Sequence, residues 1–153
     1  MYDNGAMGIA FLRRDGFAAM RAGDGGGELV TRPLLFSGAC VFVNVACPQG
    51  ELRVEVQDVE SETAIPGFAL AECRPVSVDS TLHRITWQDA DTVRALRGRP
   101  VRFRFALSNG ALYAFWVSRD ESGRSDGYVA GGGPGYTGPT DTVGAAALLQ
   151  DEP

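Results

Sequence analysis

Hydrophobic and polar positions alternate along much of this chain with the period of two that marks β-strands. The clearest run is Glu51–Val59 (ELRVEVQDV). Leu52, Val54 and Val56 share one face there and Arg53, Glu55 and Gln57 the other, the mark of an antiparallel sheet with one wet side. Ala39–Ala46 (ACVFVNVA) repeats the pattern, with Val41, Val43 and Val45 opposite Cys40, Phe42, Asn44 and Ala46. Pro100–Arg119 holds two such runs on either side of Asn109–Gly110, a dipeptide that favours a two-residue type I′ turn, in which both positions need φ > 0. The predicted hairpin pairs Ser108 with Ala111. It puts Val101, Phe103, Phe105 and Leu107 with Leu112, Ala114 and Trp116 on a core face. Arg102, Arg104 and Ala106 then share the other face with Tyr113, Phe115 and Val117.

The remaining segments are shorter or interrupted. Ile9–Arg21 reads as a strand broken at Asp15–Gly16, where a bulge or bend is expected. Glu28–Phe36 is a strand demoted by Pro33 to an edge or a bend. Phe68–Val76 is weakly patterned, Leu82–Trp87 is a short strand, and Ala90–Leu96 is one helical turn or a loop. Seven to nine short strands separated by turn signals, without a convincing helix, predict an all-β fold, an antiparallel β-sandwich of jelly-roll type in a single domain. Residues 1–8 form a lead-in and 9–120 the sandwich. Residues 121–153, rich in Gly and Pro, form a tail that wraps on the domain or leaves it.

Composition narrows the partners. The chain has 153 residues, 44% of them hydrophobic, which is enough for one real core and too few for two domains. Its net charge of −5 argues against a nucleic-acid partner, because such affinity comes from a basic surface neutralising phosphates. No apolar run is long enough to span a bilayer. The opening YDNGAMG lacks a leader pattern and reads like the middle of a longer polypeptide. Cys40 and Cys47 fall near opposite ends of one strand and cannot pair. A bridge to Cys73 is geometrically open, and buried free thiols are the expectation.

Candidate catalytic chemistry is sparse. The acids Asp15, Glu51, Glu55, Asp58, Glu60, Glu62, Asp79, Asp89 and Asp91 lie mostly in turns or on wet strand faces, where solvation explains them. His83 is the only histidine, and no Gly-x-Ser-x-Gly elbow is present. Asp24, Glu28, Asp58, Glu60 and Glu62 offer hard oxygens whose spacing matches no calcium loop, so a structural Ca2+ is not favoured and no cofactor is expected. A stand-alone hydrolase therefore ranks last. The triplet Arg13–Arg14–Asp15 reads first as a clamp fixing a strand bend or the seam to a neighbouring domain.

Leu12–Phe17 (LRRDGF), Asn44 with Gly50–Val56 (GELRVEV), Pro66–Gly67–Phe68 and the LYAF of Leu112–Phe115 together carry a resemblance. Over most of Gly8–Tyr136 the chain resembles the C-terminal β-sandwich accessory module of bacterial proteins whose N-terminal part is like a five-bladed-propeller glycoside hydrolase. The resemblance implies a secreted, extracellular or periplasmic setting and a catalytic site in the propeller. It also implies that the sandwich itself is not an enzyme. In relatives it binds glycan or packs on the catalytic domain.

A sugar module needs flat rings to stack on pyranose C–H faces, with polar groups beside them. The candidates are Tyr113, Phe115 and Trp87 with Arg102 and Arg104, all but Trp87 on the mixed face of the predicted hairpin. Trp116 is assigned to packing, and Tyr128 and Tyr136 lie in the tail. The first expectation is thus a carbohydrate-binding module for a poly- or oligosaccharide. The alternative is a structural accessory domain whose mixed face packs on an upstream glycoside-hydrolase-like domain, betrayed by an exposed apolar patch.

Overall fold

A computed structural model describes residues 7–125. Seven strands appear in chain order: β1 (Met20–Ala22), β2 (Gly27–Val30), β3 (Cys40–Ala46), β4 (Glu51–Asp58), β5 (Asp79–Ile85), β6 (Val101–Ser108) and β7 (Gly110–Ser118). They form one four-stranded sheet, ordered β1-β7-β3-β5, and one three-stranded sheet, ordered β2-β6-β4. All pairings are antiparallel. We call these sheets A and B. Each strand is followed in sequence by one in the opposite sheet, so the chain crosses between the two layers at every connection. The predicted sandwich is therefore present.

The core lies between the sheets, where the alternating apolar positions meet. Val41, Val43 and Val45 of β3 face Leu52, Val54 and Val56 of β4 and Val101, Phe103, Phe105 and Leu107 of β6, all buried in one cluster. Trp87 lies at the end of this layer and is 0% exposed. Its indole N–H donates to the Val54 carbonyl at 2.9 Å, and its ring meets Phe68 edge-on with centroids 5.1 Å apart. The bond satisfies the one polar atom that burial would otherwise strand. The outer edge of β4 is covered by the segment that follows it: Val76 exchanges both backbone bonds with Leu52, and Ile65 N–H donates to Val56.

The hairpin expected at Asn109–Gly110 does not form. β6 pairs with β2 and β4, whereas β7 pairs with β1 and β3. The dipeptide is instead the corner at which the chain passes from sheet B to sheet A. Asn109 takes the left-handed conformation at φ 43°, and Gly110 already belongs to β7. A type I′ turn would need positive φ at both residues. Glycine is required at 110 because a Cβ would sit 2.6 Å from the Cys47 Cβ and 2.8 Å from the Ala46 carbonyl oxygen. The dipeptide reads the same for two topologies, and only the packing of the Cys47–Gly50 turn against the corner selects this one.

A second departure is a bulge in β7. Asn44 pairs with Ala114 and Val45 with Leu112, which leaves Tyr113 as an extra residue on its strand. The facing of every side chain beyond it is inverted relative to a regular strand. Leu112 points into the core, but so do Phe115 and Val117, while Trp116 faces outward. Phe115 lies 4.8 Å from Phe105 and 5.9 Å from Phe103, centroid to centroid. Trp116 stacks on Phe42 at 5.9 Å and 15° on the outer face of sheet A, and its indole N–H donates to the Gly123 carbonyl. The assignment of Trp116 to the core and Phe115 to the mixed face is thus reversed.

Ile9–Arg21 is not two half-strands. Residues 7–19 form no ladder, and a turn from Arg13 to Gly16, closed by Gly16 N–H donating to the Arg13 carbonyl, precedes the three-residue β1. The strand at Glu28 ends before Pro33, on the edge of sheet B as Pro33 suggests. The one helical turn is a 3-10 segment at Arg94–Leu96. Cys40, Cys47 and Cys73 are buried and unbridged.

Truncating the ring that meets both faces of the core tests this packing. Phe105→Ala is expected to lower the unfolding free energy by about 3–5 kcal/mol, read from urea denaturation. Phe17→Ala, at an exposed ring, is expected to change it by less than about 0.5 kcal/mol.

Candidate functional site

The residues chosen as a sugar site are dispersed. Arg102 and Arg104 lie on the outer face of sheet B, Tyr113 on the outer face of sheet A, and Trp87 and Phe115 between the sheets. Trp87 has no exposed surface and Phe115 packs against two core rings, so neither presents a face for stacking. The hairpin register that grouped them needed β6 and β7 to pair. Once the chain changes sheets at Asn109, no register can bring these five side chains together.

The arginines of sheet B are committed to the protein. Arg104 grips Glu28 with two bonds, Nη2 to Oε1 at 2.6 Å and Nε to Oε2 at 3.2 Å, and its Nη1 reaches Glu55 Oε1 at 3.4 Å. Glu55, read from sequence as a solvated acid, is only 6% exposed. It also accepts from Gln57 Nε2 at 2.8 Å and from the Leu70 amide at 3.2 Å, which repay its desolvation. Arg102 donates to the Thr31 carbonyl. Beside this network runs a shallow groove of about 470 Å³, lined by Gly25–Gly27, Glu28, Glu51, Arg53 and Ala106. Its charges are already paired, Glu51 with Arg53 and Glu28 with Arg104.

The outer face of sheet A holds a different cluster, built on the LRRDGF motif. Arg13 is half-buried there, its Nε donating to Asn44 Oδ1 at 2.6 Å, its Nη1 to Asp79 Oδ1 at 2.6 Å and its Nη2 to the Val45 carbonyl at 3.1 Å. The guanidinium also sits 4.7 Å from the centre of the Tyr113 ring, within cation–π range. Asn44 is 1% exposed and answers with Nδ2 donating to the Arg14 carbonyl at 2.6 Å. Three strands contribute: β3 supplies Asn44, β5 Asp79 and β7 the bulged Tyr113. Sequence reasoning singled out the Arg13–Arg14–Asp15 triplet and favoured a clamp; of the three, Arg13 makes these contacts and the Arg14 side chain is exposed. That reasoning had no means of finding Asp79, which is 66 residues away in sequence.

Next to Tyr113 a second groove of about 550 Å³ runs along the β6–β7 corner, with a floor of Ala46, Gly110 and Ala111. Arg21, Asp24, Gln49 and Asn109 rim it, and their side chains make no hydrogen bond or ion pair within the described residues.

Flanking the Arg13 cluster is the largest concentration of exposed apolar side chains among the described residues. Met7, Ile9, Phe11, Leu12, Phe17 and Met20 are 58% to 104% exposed; the first five belong to the segment that enters β1, and Met20 opens β1 itself. These side chains lie on this arm and not on the mixed hairpin face, where the accessory-domain reading expected an apolar patch.

Among the described residues no carboxyl has a clearly raised pKa. A general acid needs a carboxyl pKa raised by burial or by a like charge. The two carboxyl shifts that are clear, at Asp58 and Asp120, are both downward. Burial lowers the pKa of His83 and favours its neutral form. Burial raises those of the Cys40 and Cys73 thiols, away from nucleophilic thiolate. Among the described residues no three His, Cys, Asp or Glu side chains are grouped to hold a metal ion. Of the calcium candidates, Glu28 faces Ala106 and Asp58 faces Val101, at opposite ends of β6. Tyr128 and Tyr136 lie outside the described residues.

No protein-family model, curated protein or solved structure matches the chain.

The turn after β4 makes a pH prediction. The Ser61 amide, then the Arg99 guanidinium, with the Glu60 amide and the Ser61 hydroxyl, hold the Asp58 pKa down to about 2, against an ordinary 3.8. A depressed carboxyl contributes stability that is full above the ordinary value and is lost as pH falls towards the folded one. A carbon-13 NMR titration should therefore place the Asp58 midpoint at about 2. In Arg99→Ala it should rise yet stay below 3.8, because both amides remain.

Proposed function

We propose that this chain is a non-catalytic accessory module that packs on a neighbouring protein domain through an apolar arm, residues 7–20. One observation carries the reading: six large apolar side chains stand exposed on one short segment that is itself pinned to the sandwich at Arg13. Isolated exposed apolar residues are ordinary, whereas a contiguous group marks a contact surface. The resemblance noted above suggests the class of neighbour, a five-bladed-propeller domain of glycoside-hydrolase type, and with it a secreted, extracellular or periplasmic setting.

Glycan binding is the second reading, and the groove beside Tyr113 favours it. Arg21, Asp24, Gln49 and Asn109 are hydrogen-bonding groups whose side chains have no partner among the described residues, and small residues below them leave room for a ring. Against it, Arg13 occupies one face of Tyr113, the single aromatic side chain among the described residues that line that groove. Packing therefore leads.

The two readings separate in solution. The docking reading expects the isolated chain to self-associate reversibly with rising concentration in the analytical ultracentrifuge. Ile9→Asp with Phe11→Asp should leave it monomeric with an unchanged melting temperature. Affinity gels containing a panel of polysaccharides should not retard it. A monomeric wild type that is retarded, with retardation lost in Tyr113→Ala, would install the glycan reading instead. A monomeric wild type that is not retarded counts against docking.

A further inference from the structure

We infer that Arg13 is a latch that positions the docking arm, and that Asn44, Asp79 and Tyr113 form its receptor on the outer face of sheet A. The inference rests on the docking reading for its purpose but not for its geometry. The arm has no strand partner between residues 7 and 19, so little else fixes its course. Arg13 divides it. Ile9, Phe11 and Leu12 stand exposed before the latch, and Phe17 and Met20 after it.

The guanidinium has four partners: two side-chain oxygens and one backbone carbonyl accept from its N–H groups, and the Tyr113 ring lies beneath its central carbon. Only arginine offers donors in this fixed planar fork, and an ammonium group could not reach all four partners at once. The receptor is specific in return. Asn44 is a buried amide in a central strand that spends its oxygen on Arg13 Nε and its nitrogen on the Arg14 carbonyl. Without the arm, that buried amide would lose both partners. The bulge at Tyr113 marks the same place, since the extra residue of β7 is the one whose ring the cation covers.

The turn behind the latch is built to hold the chain at this point. Asp15 adopts φ 49°, and Gly16 has no room for a side chain, because a Cβ would lie 2.6 Å from the Arg13 Cβ. Arg14, next along, points elsewhere: its side chain is 67% exposed and its one ion pair is a loose 3.5 Å contact to Asp15. Two adjacent arginines thus differ completely in role. A latched arm presents its two apolar flanks in a fixed relation, so a partner surface meets them with less ordering still to be done.

Nitrogen-15 relaxation of the isolated chain tests the latch without any partner. Residues 13–16 should show order parameters of about 0.85, like the strands, and fall below about 0.6 in Arg13→Ala. Asn44→Ala should release them equally and erase the distinct side-chain Nε–H resonance of Arg13. Arg13→Lys should fail to restore order, and Arg14→Ala should change nothing. Arg13→Ala lies outside every strand, so it decides the matter even if Asn44→Ala unfolds. Order parameters unchanged in Arg13→Ala, or already low in the wild type, overturn the latch. A latch that passes while the chain never associates would leave the latch standing and remove only the docking purpose.

Discussion

No strand in this sandwich is hydrogen-bonded to its neighbour in sequence. β1 and β3 wait for β7, β2 and β4 wait for β6, and β5 pairs back to β3. All pairing between these strands is therefore long-range, and each ladder must be assembled after a long loop has closed, which costs chain entropy before any ladder bond offsets it. The compensation is that consecutive strands face each other across the core. The regular period of two in β3, β4 and β6 presents apolar side chains to the same layer from both sides. Phe103 and Phe105 of β6 can then touch Phe115 of β7 although β6 and β7 share no ladder.

The same constraint fixes what the two outer faces become. A strand that alternates perfectly sends its odd and even residues to fixed sides, and β6 does so along its length. β7 does not, and its one extra residue, Tyr113, is where the outer face of sheet A acquires a ring. Beyond the bulge, Trp116 is turned out to cover Phe42 and Phe115 is turned in. A face of paired ions on sheet B and a face that grips the entering arm on sheet A are the result. The first is paired mostly within itself, with only the buried Arg102 Nε lacking a hydrogen-bond partner on that face among the described residues. The second is completed only by Arg13.

This division bears on function. Among the described residues the clear carboxyl shifts run downward and the clear thiol shifts upward, and most ring-bearing residues serve packing. The unspent chemistry of the sandwich is concentrated in two places, the apolar side chains of the arm and the polar rim beside Tyr113. Apolar surface in contact with water is the costlier of the two, since exposed polar groups are already hydrated. An arm held at one residue and apolar on either side of it suits a seam between domains better than a sugar platform.

Much of the fold was legible from local pattern. The strands at Cys40–Ala46, Glu51–Asp58 and Val101–Ser108, the edge role forced by Pro33 and the inward-facing valines follow from alternation and backbone chemistry, which neighbouring residues determine. The Arg13–Arg14–Asp15 triplet of LRRDGF was also legible as a clamp, but not which arginine clamps or onto what receptor. What the sequence could not determine was which strands pair, because Asn109–Gly110 satisfies the local rules for a hairpin and for a corner alike. Nor could it show the bulge, since an inserted residue is extra only relative to a partner strand. The predicted site depended on both, and it dissolved with them. Tertiary structure alone decided that Asn44, Asp79 and Tyr113 meet around Arg13, because that meeting joins three strands and an arm lying far apart along the chain.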